Sequence, residues 1–208
     1  MKTILCYGDS NTHGTAPLPA PGVDLRHPPG DRWPDALAAA LGSGVRVIDE
    51  GLPGRTTVHD DVVEGGARNG LAVLPAVLHS HKPIDLMLLM LGTNDLKTRF
   101  SVSAWEIARS VERLGLVARA EGVVRDILLI APAPVRVTGS LAEVFAGAEA
   151  RQARLEEFIG AAADRQGWGF VRAGDHVQVS DMDGVHWPPE AHRSFGAALA
   201  PVVADRLA

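Results

Sequence analysis

Four short blocks of this sequence carry residues suited to acyl-transfer chemistry. Gly8-Asp9-Ser10 places a hydroxyl directly after a short apolar run. Such a position at a strand end can present a side-chain oxygen and its own backbone N–H to one cleft, and the hydroxyl becomes a nucleophile if a base is within reach. Taken alone, Ser10 fits a turn or helix N-cap serine equally. The base is offered by Asp183-Gly184-Val185-His186. Folded back through Gly184, Asp183 can accept the Nδ1–H of His186 and leave Nε2 free for the Ser10 proton. Solvated loop residues are the plain alternative. Asp181 is the competing acid, but its five-residue separation from His186 is harder to close in a tight turn. Donors for a tetrahedral oxyanion are the backbone N–H of Ser10, the backbone N–H of Gly54 and the side-chain amide of Asn94. Gly54 also reads as a turn glycine, and Asn94 as an Asx-turn residue.

These blocks need elements to hold them. Apolar runs at Thr3–Tyr7, Val45–Ile48, Ile84–Leu91 and Ile127–Ala131, with a weaker one at Gly169–Val171, read as buried strands. Helical periodicity runs through Trp33, Leu37 and Leu41, and again from Ala104 to Ala118, where Ser103 and Glu106 offer a capping box. A third helix is expected over Leu141–Ile159 and a last one over Phe195–Leu207. Alternating strands and helices require right-handed crossovers, so a three-layer α/β fold with a mostly parallel sheet is expected, as one domain over residues 1–208. Ligands bind at the carboxyl ends of such strands, where Ser10, Gly54, Asn94 and the run Ala131-Pro132-Ala133-Pro134 fall. The Pro/Gly-rich segment Gly14–Gly30 is long enough to read as a functional or mobile loop.

Taken together, the blocks resemble the SGNH or GDSL hydrolase family, in the family's order from residue 8 to residue 186. The resemblance implies a flavodoxin-like fold with a five-stranded parallel sheet. It makes Ser10 the nucleophile, His186 the base and Asp183 its orienter, with Ser10, Gly54 and Asn94 forming the oxyanion hole. Cys6-Tyr7-Gly8-Asp9-Ser10, Asp31-Arg32-Trp33, Gly54-Arg55-Thr56-Thr57 and Met90-Leu91-Gly92-Thr93-Asn94-Asp95 look most like the small bacterial arylesterase and acyltransferase branch. Members of that branch hydrolyse short acyl esters, some transfer acyl groups to alcohols or peroxide, and several form octamers. The implied partner is therefore a small-molecule ester, and a homo-oligomer is expected. The chemistry requires no cofactor. The chain departs from the branch after the nucleophile, where Asn11 and His13 replace a Leu and a Trp. This is expected to make the wall beside Ser10 more polar, favouring a sugar or other polar acyl ester over an aryl ester. Substrate contacts are expected from Asn11, His13, Trp33 and Trp187, with core packing the alternative for both tryptophans.

The remaining features narrow the field. A non-catalytic binding module of the same fold would be marked by loss of the Ser, the His or an oxyanion donor, and none is lost. The chain of 208 residues is 46% hydrophobic with a formal charge of −5, and lacks the basic clusters that bind nucleic acid or an anionic membrane. No apolar run reaches the ~18 residues of a membrane span, and MKTILCYGDS leads straight into a strand, so no signal peptide is expected and the location reads as cytoplasmic. The single Cys6 excludes an internal disulfide. His59-Asp60-Asp61 and His79-Ser80-His81 lack a matching second half, so no metal is expected. Arg55 is expected either at the surface or paired with Asp9, Asp95 or Glu50.

Overall fold

The computed structural model describes residues 1–23 and 25–208. Five strands form one all-parallel sheet in the order β2-β1-β3-β4-β5: β1 (Lys2–Gly8), β2 (Val45–Gly51), β3 (Ile84–Met90), β4 (Val124–Ala131) and β5 (Gly169–Arg172). The helices are α1 (Ser10–His13), α2 (Trp33–Leu41), α3 (Gly70–His81), α4 (Ala104–Ala120), α5 (Ala148–Arg151), α6 (Leu155–Gln166) and α7 (Pro189–Leu207). The result is a three-layer, flavodoxin-like α/β arrangement.

The strands read as unbroken apolar runs because both faces of the sheet are covered. Successive residues serve opposite cores. Leu5, Tyr7, Met87, Leu89, Ile127 and Leu129 pack under α3, α4 and α6, whereas Ile4, Cys6, Leu86, Leu88, Leu128 and Ile130 pack with α2 and α7. Cys6 is fully buried, and that burial pushes its thiol pKa well up.

Chain order reverses at β1, which has β2 on one side and β3 on the other. Such a switch point opens a crevice beyond the strand ends. The register aligns Gly8 with Gly51 on one side and with Met90 on the other, so the segments carrying Ser10, Gly54 and Asn94 leave the sheet at one level.

The capping box of α4 forms as its sequence implies: Ser103 Oγ accepts from Glu106 N, and Glu106 Oε2 accepts from Ser103 N at 2.9 Å. The single helix expected over Leu141–Ile159 does not form. Gly147 (φ 75°) and Arg154 (φ 67°) adopt left-handed conformations that split it into α5 and α6. Between them the Gln152 amide bonds both the N–H and the carbonyl of Val135, at 2.8 Å each, tying the break to the segment after β4. Helix α3 is not among the helices expected from periodicity; its start is fixed by Asn69, whose side chain accepts the Ala72 N–H.

Candidate active site

Ser10 is the first residue of α1, and the N-cap is Asp9, whose Oδ1 accepts the Asn11 N–H at 3.0 Å. The turn or N-cap role open to Ser10 in the sequence thus belongs to its neighbour. At the first helical position the Ser10 N–H has no intrahelical acceptor. Its Oγ lies 3.0 Å from His186 Nε2, and His186 Nδ1 lies 2.7 Å from Asp183 Oδ2.

The turn that brings Asp183 to His186 depends on Gly184. It sits at φ +75°, and a Cβ there would meet the Arg136 carbonyl oxygen at 1.9 Å. The Gly184 N–H donates to Ser180, its carbonyl accepts from Arg136, and Ser180 N donates to the His186 carbonyl. Asp183 is fully buried. Burial pushes its carboxyl upward, but hydrogen bonds from the His186 ring and from the N–H groups of His186 and Leu18 outweigh that and hold it below the usual carboxylate range. An ionised Asp183 can only accept, so His186 carries its proton on Nδ1 and offers Nε2 to Ser10 as an acceptor. Asp181, the competing acid, instead pairs with Arg136 at the surface.

Gly54 occupies the third position of a Leu52–Arg55 turn closed by Arg55 N donating to the Leu52 carbonyl at 3.0 Å. Pro53 at the second position and φ +79° at Gly54 fit a type II turn. Asn94 opens a short 3₁₀ turn after β3, and its Nδ2 donates to the Arg55 carbonyl at 3.1 Å, leaving one amide hydrogen over. Asp95 behind it accepts the N–H and the hydroxyl of Thr57. The expected pairing of Arg55 with a carboxylate does not occur. Arg55 is buried with its guanidinium 4.2 Å from the Tyr7 ring centroid, and it donates to the carbonyls of Gly8 and Glu50. Arg55 thereby ties the end of β1, whose Gly8 carbonyl also accepts the Leu52 N–H at 3.1 Å, to the last residues of β2.

Ser10, His186, Gly54 and Asn94 line one cleft of about 660 Å³. Its lining combines apolar side chains, among them Leu18, Val23, Leu141, Val144, Phe145 and Val185, with the polar His13, Thr15, Glu64, Arg68 and Lys97. An arrangement of this kind can pass a proton from the serine to the histidine while N–H donors face the developing oxyanion.

Three expected substrate contacts lie elsewhere. Trp33 and Trp187 are fully buried beneath the sheet, each edge-on to Phe195 at 5.8 and 5.3 Å, because large apolar rings gain more from the α2–α7 core than from an open cleft. Asn11 is buried as well, and its amide donates to the Val185 carbonyl at 3.2 Å. It supports the turn that carries His186 and is not part of the wall. Of the four, only His13 lines the cleft, with Nδ1 3.1 Å from Thr15 Oγ1.

The segment Gly14–Gly30, of which Asp24 lies outside the described residues, supplies contacts that no sequence pattern marks. Leu18 N–H reaches Asp183, and His27 Nε2 donates to the Trp187 carbonyl at 3.0 Å. Of the histidine clusters, His59 stacks on Phe100, His79 bonds Glu121 and His81 bonds Glu50. Among the described residues no three His, Cys, Asp or Glu side chains converge as metal ligands. No helix among them is long and apolar enough to cross a membrane.

A comparison with the curated proteins gives no match. Solved structures are closely similar. A carbohydrate acetylesterase from Sinorhizobium meliloti is 36% identical with a TM-score of 0.93, covering 99% of each chain. A second carbohydrate acetylesterase family member from that organism is 40% identical with a TM-score of 0.92, covering 100% of this chain and 99% of its own. The native aryl esterase of M. smegmatis is 32% identical with a TM-score of 0.92, covering 99% of each chain. Residues 6–193 match the GDSL-like lipase/acylhydrolase family. The chain belongs to that family and is a carboxylic ester hydrolase.

Proposed function

We propose that Ser10, His186 and Asp183 form the catalytic triad of this hydrolase and that it removes short acyl groups, acetyl foremost, from small esters. The observation that carries this reading is the unbroken relay from Ser10 Oγ to His186 Nε2 at 3.0 Å and from His186 Nδ1 to Asp183 Oδ2 at 2.7 Å, on the floor of an open cleft. Ser10 Oγ attacks the ester carbonyl as His186 takes its proton, and the carbonyl oxygen becomes an oxyanion facing the N–H groups of Ser10 and Gly54 and the Asn94 amide. His186 then protonates the leaving alcohol, giving an acyl-enzyme. Water attacks the acyl carbon with His186 again as base, releasing the acid and restoring Ser10. Steady-state hydrolysis of 4-nitrophenyl acetate tests the assignment. Ser10→Ala abolishes turnover, and an unchanged rate overturns the triad.

A second reading, a deacetylase of carbohydrates or other polar metabolites on the same triad, is favoured by the polar lining residues His13, Thr15, Glu64, Arg68 and Lys97. The similarity to carbohydrate acetylesterases at 36% and 40% identity points the same way. Acetylated sugars set beside a chain-length series of nitrophenyl esters separate the two readings. The apolar part of the lining suits an alcohol acceptor as well as a leaving group, so acyl transfer in competition with water belongs to the same proposal. A homo-oligomer does too, supported by Val62 and Val63, adjacent apolar side chains that stand 90% and 71% exposed. Light scattering measures its size.

A further inference from the structure

Arg68 lines the cleft beside the proposed oxyanion hole. Its Nε donates to the Gly65 carbonyl at 3.2 Å and one terminal nitrogen donates to the Pro53 carbonyl, so the guanidinium is held in place by backbone at two points. A Cβ added to Gly54 would lie 3.0 Å from Glu64 Oε2 and 3.3 Å from Arg68 Nε, which sets both side chains within a substrate's length of the carbonyl under attack. The other terminal nitrogen of Arg68 has no partner among the described residues.

The ion pairs of the nearby carboxylates are made with Lys97 and Arg99, and none of them with Arg68. Glu64 Oε1 accepts from Lys97 at 2.6 Å and from Arg99 at 2.5 Å, and Asp61 Oδ2 accepts from Arg99 at 2.9 Å and from Lys97 at 3.3 Å. Among the cleft-lining side chains, Arg68 and Lys97 set against Glu64 leave one positive charge, in a protein of formal charge −5. Arg68 itself makes no ion pair with a described residue. A fixed guanidinium with free N–H groups, in a cleft that is also lined by apolar side chains, is matched by an anionic oxygen more strongly than by a hydroxyl, because charge-assisted hydrogen bonds are about twice as strong as neutral ones.

We infer that Arg68 is a specificity-determining residue that recognises a carboxylate on the ester substrate. The inference rests on the proposed triad cleft and adds the substrate's charge to it. The carboxylate can belong to the alcohol or to the acyl part, and paired esters distinguish the two sources. For the alcohol arm, kcat/KM is measured on 4-acetoxybenzoate and on phenyl acetate. For the acyl arm, it is measured on monophenyl succinate and on phenyl butanoate.

The expected result is a preference of about fivefold for the anionic member in one of the pairs, shrinking as salt is raised. Arg68→Gln erases that ratio, whereas Arg68→Lys keeps part of it. Using a ratio cancels any general loss of activity in the variants, and the salt dependence of the wild-type ratio stands without any variant. No anionic preference in either pair overturns the inference. So does a ratio untouched by Arg68→Gln. Equal losses on charged and neutral esters with the ratio intact assign Arg68 to support of the Pro53–Gly54 turn. Loss of phenyl acetate turnover in Ser10→Ala is read separately, so failure of the triad and failure of the Arg68 inference are distinct.

Discussion

Leu18 donates its backbone N–H to Asp183 Oδ2 at 2.7 Å, the same oxygen that accepts the Nδ1–H of His186 at 2.7 Å. The other carboxylate oxygen accepts the N–H groups of Val185 and His186, both at 2.9 Å. Four donors thus converge on one buried acceptor. The carbonyl of Leu18 is itself fixed, accepting the Ser140 hydroxyl at 2.6 Å, while His27 holds the Trp187 carbonyl on the far side of His186. The Pro/Gly-rich segment grips both ends of the turn that bears the histidine.

Asp183→Asn is expected to lower kcat by about 10³–10⁴-fold with KM changed only slightly. An amide has one acceptor oxygen, so its NH₂ must face either the Leu18 and His186 Nδ1 donors or the two backbone donors. In the first case the imidazole is forced into the wrong tautomer, and in the second the turn is strained. Steady-state kinetics on 4-nitrophenyl acetate check this. A loss below tenfold would show that His186 holds its orientation without the carboxylate.

His27→Ala removes one hydrogen bond, worth about 1 kcal/mol, from the Trp187 carbonyl. If that grip positions His186, kcat falls roughly three- to tenfold at constant KM, and His27→Gln recovers part of the loss. A lowered melting temperature with kcat unchanged would assign the contact to stability alone.

Asn94→Ala is expected to cost about 10²–10³-fold in kcat, because one of the three proposed oxyanion donors is removed. It also frees the Arg55 carbonyl, which accepts from Asn94 Nδ2 at 3.1 Å. Circular dichroism and a thermal melt on the same sample tell local loosening from lost catalysis. Wild-type turnover in a folded variant removes Asn94 from the hole.

Much of this site is legible in the sequence because Ser10, Gly54 and Asn94 each come within a few residues of a strand end. The runs ending at Gly8 and Leu91 leave little doubt about where Ser10 and Asn94 emerge, and Gly184 marks the turn that returns Asp183 to His186. What could not be read depends on long-range packing. Trp33 and Trp187 sit next to motif residues in sequence, yet both point to the core between α2 and α7. Asn11 follows the nucleophile directly in sequence, and only the path of Val185 shows that its Nδ2 donates to a backbone carbonyl 174 positions away. Arg68 and Leu18 carry no local pattern. Their roles arise from which carbonyl or carboxylate the folded chain brings beside them.

Asp9 gives stability a dependence on pH. Burial pushes its carboxyl up to about 6, against the Asn11 hydrogen bond and the charges of His186 and Arg55. The native state therefore holds this proton more tightly than the unfolded chain does. Its contribution is fully present below about pH 4 and is lost as pH rises through about 6, a change of roughly 1–3 kcal/mol. Asn keeps the cap without the charge, so Asp9→Asn should gain on the wild type by about 1.4 kcal/mol between pH 5 and pH 8, the rest of the change falling below pH 5. Urea melts at the two values measure it. A stability difference that stays constant across the interval rules the effect out.

His192 acts with the opposite sign. It is fully buried, both ring nitrogens lack a hydrogen-bond partner, and its ring lies 5.2 Å from those of His27 and Trp187. Burial first, then the neighbouring His27 and His186, lowers its pKa to about 3. The unfolded histidine takes up a proton near pH 6.5 while the native one stays neutral, so its contribution is intact above that value and is lost as pH falls toward 3, by about 1.4 kcal/mol per pH unit. His192→Leu occupies similar space without a titrating group, and leaves no buried polar atom unsatisfied. The variant should match the wild type within about 1 kcal/mol at pH 8 and exceed it by about 2 kcal/mol more at pH 5. Equal loss of stability in both proteins on acidification would mean that some other group sets the acid limb.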